Sequence, residues 1–209
     1  FPTRRSSDLS YCFNPHTGEK RWRWLSFAKP RPIYGLEQLA ANPSAQVLVV
    51  EGEKACEAAR ELFEGLGVTR DKLVIVSWPG GAKAVKHVDW TPLEGRRVGL
   101  FPDADSKLYV ASHSNAGKIM PFIEQPGTVC MIEIADRLEE VAKSIKFILP
   151  PPGVSDGWDL ADILPEGFDL LSHLRSAATP MPEFRAMHGL DPLPDLISRT
   201  STISARKHA

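Results

Sequence analysis

VLVVEGEKACEAA, residues 47–59, and RRVGLFPDAD, residues 96–105, decide how this chain folds. In the first, four apolar residues stop abruptly on Glu51-Gly52-Glu53. An unbroken apolar run of this length reads as a strand buried on both faces. Helical spacing then starts at once, through Ala55, Ala58, Ala59, Leu62, Phe63 and Leu66, and Gly65 and Gly67 mark its end. In the second stretch a strand over 96–101 ends on Pro102-Asp103-Ala104-Asp105. KLVIVSW (72–78) and IKFILP (145–150) supply two further strands, and TVCMIEIADRLEEVAKS, after Pro126-Gly127, supplies another helix. Strands alternating with helices at this spacing predict βαβ units. The expected class is α/β, a mostly parallel sheet flanked by helices on both faces.

The acids fall at equivalent places in this pattern. Ligands of open parallel sheets bind outside the carboxyl ends of the strands. Glu51 follows the first strand, Asp103 and Asp105 the third, and Asp156, Asp159 and Asp162 the fourth. In extended chain the i, i+2 spacing turns both side chains of Asp103 and Asp105 the same way. Clustered carboxylates repel unless a cation lies between them. Mg2+, or Mn2+, suits an all-oxygen set and keeps waters that a phosphate can replace. The chemistry expected is metal-assisted phosphoryl or nucleotidyl transfer, or phosphodiester hydrolysis. Against this, a single acid after a strand is often a helix cap or turn residue, and a lone DxD is weak. The ordered combination is stronger than either part.

VLVVEGEKA followed by FPDAD resembles the Toprim domain of bacterial-type primases, topoisomerases and some nucleases. With SWPGGAKAVKHVDWTPLEGRRVGLFPDAD and DGWDLADIL added, the match is closest to the Toprim module of phage- and plasmid-borne primases and primase–helicases. The likeness extends over about residues 11 to 175. It implies a Toprim domain over 46–175, preceded by a strand-rich lead-in over 10–45. It implies that Asp103 and Asp105 hold divalent metal, that Glu51 is the acid–base or metal-linked residue, and that Asp159 and Asp162 form a later acidic motif near the site. The implied activity is Mg-dependent synthesis of RNA primers from ribonucleotides on single-stranded DNA, with a zinc-binding template reader and a helicase module elsewhere in the full-length protein. A Toprim nuclease and a non-catalytic nucleic-acid or partner-binding module are the alternatives. One departure stands out. The glycine that opens the next helix in these proteins lies soon after DxD. Here SKLYVASHSNAGKIMPFIEQ (106–125) intervenes, which reads as an insertion at the catalytic edge.

Other candidates carry competing readings. Gly80, Gly81 and Lys83, in PGGAKA at the end of the second strand, could receive a nucleotide phosphate. A plain turn followed by a solvated lysine is the favoured reading. KRWRW (20–24) interleaves bases and rings, and Arg21 and Arg23 with the tryptophans suit contact with single-stranded nucleic acid. A strand with Trp22 and Trp24 facing a core and Arg21 and Arg23 on the other side is the favoured reading. NAGKI is not a phosphate-binding P-loop, because Ser112 stands where the first glycine belongs and no Ser or Thr follows Lys118.

Composition bounds the rest. The 209 residues are 43% hydrophobic and 24% charged, with formal net charge −1. That suits a soluble globular domain rather than one that coats nucleic acid by bulk charge. No apolar run approaches the roughly 18 residues of a membrane span. Cys12, Cys56 and Cys130 are widely separated and form no CxxC pair, consistent with a reduced, cytoplasmic setting. FPTRRSSDL (1–9) lacks periodicity and resembles a translated sequencing adapter, so it is set aside from the fold as a scar. Residues 176–209, rich in Pro, Ser and Thr, read as a linker or truncated tail.

Overall fold

A computed structural model describes residues 9–24 and 28–190. The expectations for residues 1–8, for the rings of Trp22 and Trp24, for the Arg23 side chain and for the chain beyond 190 lie outside them.

The described residues begin with a hairpin, β1 (Leu9–Phe13) and β2 (Lys20–Trp24), paired antiparallel. Asn14 shapes its turn, accepting from the His16 N–H through Oδ1 at 3.0 Å. Helix α1 (Leu36–Ala41) leads into β3 (Gln46–Val50), and α2 (Glu53–Gly65) into β4 (Leu73–Val76). Two short 3-10 helices, Ala82–His87 and Thr91–Leu93, precede β5 (Arg97–Phe101). A third, Phe122–Glu124, precedes α3 (Pro126–Leu138) and β6 (Ser144–Ile148). Then come α4 (Leu170–Ser176), β7 (Ala178–Pro180) and α5 (Met181–His188).

The main sheet has the order β4-β3-β5-β6-β7. Its first four strands run parallel, and β7 is antiparallel to β6. Alternate residues of each strand serve opposite faces. Val47, Val49, Val74, Val76, Val98, Leu100 and Phe147 pack with α3 and α5 on one side. Leu48, Val50, Ile75, Phe101 and Ile148 pack with α2 and α4 on the other. The expected α/β class and mostly parallel sheet are what the chain adopts. Among the described residues no helix is long and apolar enough to cross a membrane.

Two boundaries move. The lead-in is not only strand-rich, since Ile33, Leu39 and Ala45 are buried in the main core. The stretch expected as tail from 176 begins as structure. β7 pairs with β6 through Lys146–Pro180, Phe147–Thr179 and Ile148–Ala178, and so covers what would be an open edge. In α5, Phe184 stacks on Phe147 with ring centroids 4.1 Å apart, and Arg185 forms an ion pair with Asp136 of α3. The physical reason is apolar burial at a sheet edge, which a weakly patterned short helix supplies with two side chains, Met181 and Phe184.

Phe184→Ala is expected to destabilise the chain by about 3–5 kcal/mol in urea unfolding, the loss typical of a buried ring. An unchanged midpoint would return residues 178–188 to the status of a tail.

Candidate functional site

The site is built where β3 and β5 end. Glu51 directly follows Val50, and Gly52, with φ 74°, turns the chain into α2. Asp103 and Asp105 lie just past β5. The Asp103 N–H points to Glu51 Oε1 at 3.4 Å, joining two adjacent strand ends. Asp105 is almost enclosed, its side chain 11% exposed. Its Oδ2 accepts from the Gly127 N–H at 2.8 Å, in the first turn of α3, where the helix dipole favours an anion.

Gly127 is the residue that the sequence misplaces. It lies 22 positions after Asp105, beyond the apparent insertion, yet it touches the acids directly. A β-carbon there would stand 2.5 Å from Glu51 Oε1, 3.2 Å from Asp105 Oδ2 and 3.3 Å from the Asp103 carbonyl. Only glycine lets the helix start approach all three. The loop 106–125 folds back on itself to make this possible. Leu108 bridges Ile119, and the Tyr109 N–H donates to the Lys118 carbonyl at 3.0 Å. Buried Gln125 clamps the two ends. Its Oε1 accepts from Lys107 N–H at 2.8 Å, and its Nε2 donates to the Met120 and Lys107 carbonyls at 2.8 and 3.3 Å.

The later acidic motif is tied to the same edge. The Ala104 N–H donates to the Trp158 carbonyl and the Gly157 N–H to the Ala104 carbonyl, both at 2.8 Å. Trp158 is buried edge-on against Phe101, centroids 6.5 Å apart, and donates from Nε1 to the Ile163 carbonyl at 3.2 Å. It thus braces the loop that carries Asp159 and Asp162. Within that loop Asp159 Oδ1 accepts from the Ala161 N–H at 2.5 Å, and Asp162 Oδ2 from the Asp159 N–H at 3.1 Å.

The electrostatics follow from this crowding. Burial first, then the charges of Glu51, Asp159, Asp105 and Asp162, push the Asp103 carboxyl up to about 8. Four of the other acids at these strand ends are thus felt at Asp103. Burial also pushes up the thiol of Cys130 in α3, with Glu51 adding to it, so that cysteine is inert. A cation that the sequence does not single out, Lys107, stands beside the acids. Lys107 Nζ stands 2.8 Å from Asp156 Oδ2 and 3.5 Å from Asp105 Oδ1. Its hydrogen bond, with that of the Ser106 N–H, holds the Asp156 carboxyl below its usual range.

Among the described residues no group of three or more His, Cys, Asp or Glu is arranged to hold a metal ion as it stands. The donor chemistry nonetheless fits a hard divalent cation. The available atoms are carboxylate oxygens, the cradle against Gly127 is shaped by the lack of a side chain, and a like-charged carboxylate is held in its midst. Glu51, Asp103 and Asp105 are the ligands such an ion would use, with Asp159 beside them.

The other candidates belong to the turn after β4 and to β2. Gly80 and Gly81, with φ of 96° and 70°, form a turn past the end of β4, and Lys83 is exposed beside it. The guanidinium of Arg31, which the sequence did not single out, lies over Gly80 and donates to the Pro79 carbonyl at 3.4 Å. It fills the space a side chain at 80 would need. Arg21 in β2 is exposed and pairs with Glu19 at 3.5 Å. Comparison with protein-family models, with curated proteins and with solved structures found no match for this chain.

Two outcomes follow from the acid cluster. Because the folded-state value of Asp103 is raised from 3.8 to about 8, its contribution to stability is full below pH 4 and is lost as pH rises towards 8. Asp103→Asn is therefore expected to raise the melting temperature at pH 8 and to change it little at pH 4. A variant that melts lower at pH 8 would mean that Asp103 is not crowded by charge. Gly127→Ala is expected to displace the Glu51 carboxylate, to cost about 1–3 kcal/mol as overpacking does, and to weaken Mg2+ binding at least tenfold in calorimetry.

Proposed function

We propose that this chain is the Toprim catalytic core of a DNA primase or primase–helicase, acting in the cytoplasm. The observation that supports the reading is the meeting of Glu51, Asp103 and Asp105 around Gly127, in the order that the Toprim resemblance implies. Residues 106–125 still separate Gly127 from Asp105 in the chain, but Gly127 stands against all three acids, and this supports the reading.

The roles divide by environment. Asp103 and Asp105 would hold Mg2+ or Mn2+, and Asp159 lies close enough to feel the same charge. A divalent ion bound there neutralises a nucleoside triphosphate and lowers the cost of ionising the attacking 3′-hydroxyl. Glu51, which accepts from the Asp103 N–H, would orient that hydroxyl or take its proton. Lys107 balances Asp105 and Asp156 at the rim of the site. Single-stranded DNA and ribonucleotides are the substrates of this reading. Arg21, Arg23, Lys83 and the Gly80-Gly81 turn are its candidate contacts with phosphate. A zinc-binding template reader and a helicase module are the partners it calls for in the full-length protein.

The test is incorporation of labelled ribonucleotides on a single-stranded DNA template with Mg2+ or Mn2+, using a chain joined to a zinc-binding template reader. Asp103→Asn and Glu51→Gln are each expected to lower the rate by at least about a hundredfold, as loss of a group that stabilises transition-state charge does. Metal-dependent cleavage of labelled DNA without nucleotides would favour the nuclease reading. Metal binding indifferent to Asp103→Asn would leave the acids structural and overturn both.

A further inference from the structure

The α2–α4 side of the sheet is closed only at the carboxyl half of the strands. There Val50, Ile75, Phe101 and Ile148 are buried. Towards the amino ends Leu73 remains apolar in β4, but β3, β5 and β6 present Gln46, Arg97, Gly99, Ser144 and Lys146 on this side. A parallel strand buried on both faces reads as continuously apolar, so polar residues here mark sheet that the helices leave uncovered. The result is a hollow of about 510 Å³ between α2 and α4. That volume is in the range of small-molecule sites, roughly 300–1,000 Å³.

The lining is divided in kind. Leu48, Phe63, Ile148 and Leu174 give it an apolar floor. Gly99 keeps that floor low, because a β-carbon there would meet Ile148 Cδ1 at 2.9 Å and Leu48 Cδ1 at 3.3 Å. Lys72, Arg97, Lys146 and Arg175 come from four different segments and ring it, and no carboxylate is among the lining residues. None of the four forms an ion pair among the described residues, although seven other pairs are present. Lys146 is paired with Gly99, two positions along from Arg97. Their backbone anchors are thus roughly 8 Å apart, from strand spacing and rise. One carboxylate would leave most of this charge uncompensated. A chain of phosphates spans it, and the floor offers a surface to a flat ring.

We propose that this hollow binds a nucleoside di- or triphosphate, with the base on the apolar floor and the phosphates among Lys72, Arg97, Lys146 and Arg175. It lies at the opposite end of the strands from Glu51. Four steps along β3 separate the two ends, about 13 Å. A nucleotide held here is therefore not one reacting at the acids, and it acts as an effector of the chain.

The experiment is calorimetric titration of the 209-residue chain with ATP in EDTA. Without divalent metal the acid cluster repels a triphosphate, so this binding is independent of the proposed catalytic site. ATP is expected to bind with submillimolar affinity. The exposed-residue variants Arg97→Gln/Lys146→Gln and Lys72→Gln/Arg175→Gln should each weaken it at least tenfold without changing the melting temperature, and Asp103→Asn should leave it intact. Tripolyphosphate should bind at least tenfold more weakly than ATP. Absence of binding by the folded chain, indifference to both double variants, or tripolyphosphate as tight as ATP would overturn the proposal. So would a single-stranded oligonucleotide that displaces ATP from the hollow, which would make the surface a nucleic-acid track.

Discussion

Mutual repulsion among the carboxylates at the carboxyl edge of the sheet is the constraint on which the rest of the architecture depends. Left to themselves, Glu51, Asp103 and Asp105 would separate. The strands that carry them are buried on both faces, and each fully buried aliphatic or aromatic side chain contributes about 1.5–3 kcal/mol. Seven such residues of β3 and β5, Val47 to Val50 with Val98, Leu100 and Phe101, lie immediately behind the acids. That sum exceeds any plausible repulsion between partly hydrated carboxylates, so the core dictates where the charges sit. The backbone then fixes how they sit. Gly127 donates to Asp105, and the Ala104–Trp158 bridge ties the Asp103 loop to the loop after β6.

Much of this was legible in the sequence because it rests on abrupt local change. An apolar run that stops on Glu51, and another that stops on Pro102-Asp103, give both the strand and the position of the acid at its end. Proximity across the loop 106–125 was not legible. Chain separation suggests distance, and nothing local to Gln125 announces that its amide closes the loop on itself. Lys107 was hidden for the same reason, since its partners Asp105 and Asp156 come from different strand ends. The helix α5 is a different case. Its signals were present, with Pro182 in the first turn and Gly189 in the left-handed conformation just past the end. They were masked by the Pro-rich composition around them, and the decisive contact, Phe184 on Phe147, is tertiary.

Charge is nearly balanced over the chain as a whole, with 25 Lys and Arg against 26 Asp and Glu. The balance conceals a separation along the strands. Carboxylates collect at their carboxyl ends, and Lys72, Arg97, Lys146 and Arg175 collect towards their amino ends. The backbone does not require this, because sheet dipoles largely cancel. The separation is a property of the side chains, and it gives one small sheet two regions that attract opposite kinds of ligand.

The clamp made by Gln125 has a consequence for how such a domain can vary. Lys107 and Met120 are held to one side chain, so the segment between them begins and ends at the same place whatever its length. Closing a longer flexible loop adds only about 0.6 kcal/mol for each doubling. Residues 108–119 are therefore a cassette. They can be lengthened, shortened or exchanged for a different peptide while Gly127 stays where it is, so new surface can be grafted onto the rim of the acid cluster without disturbing its arrangement.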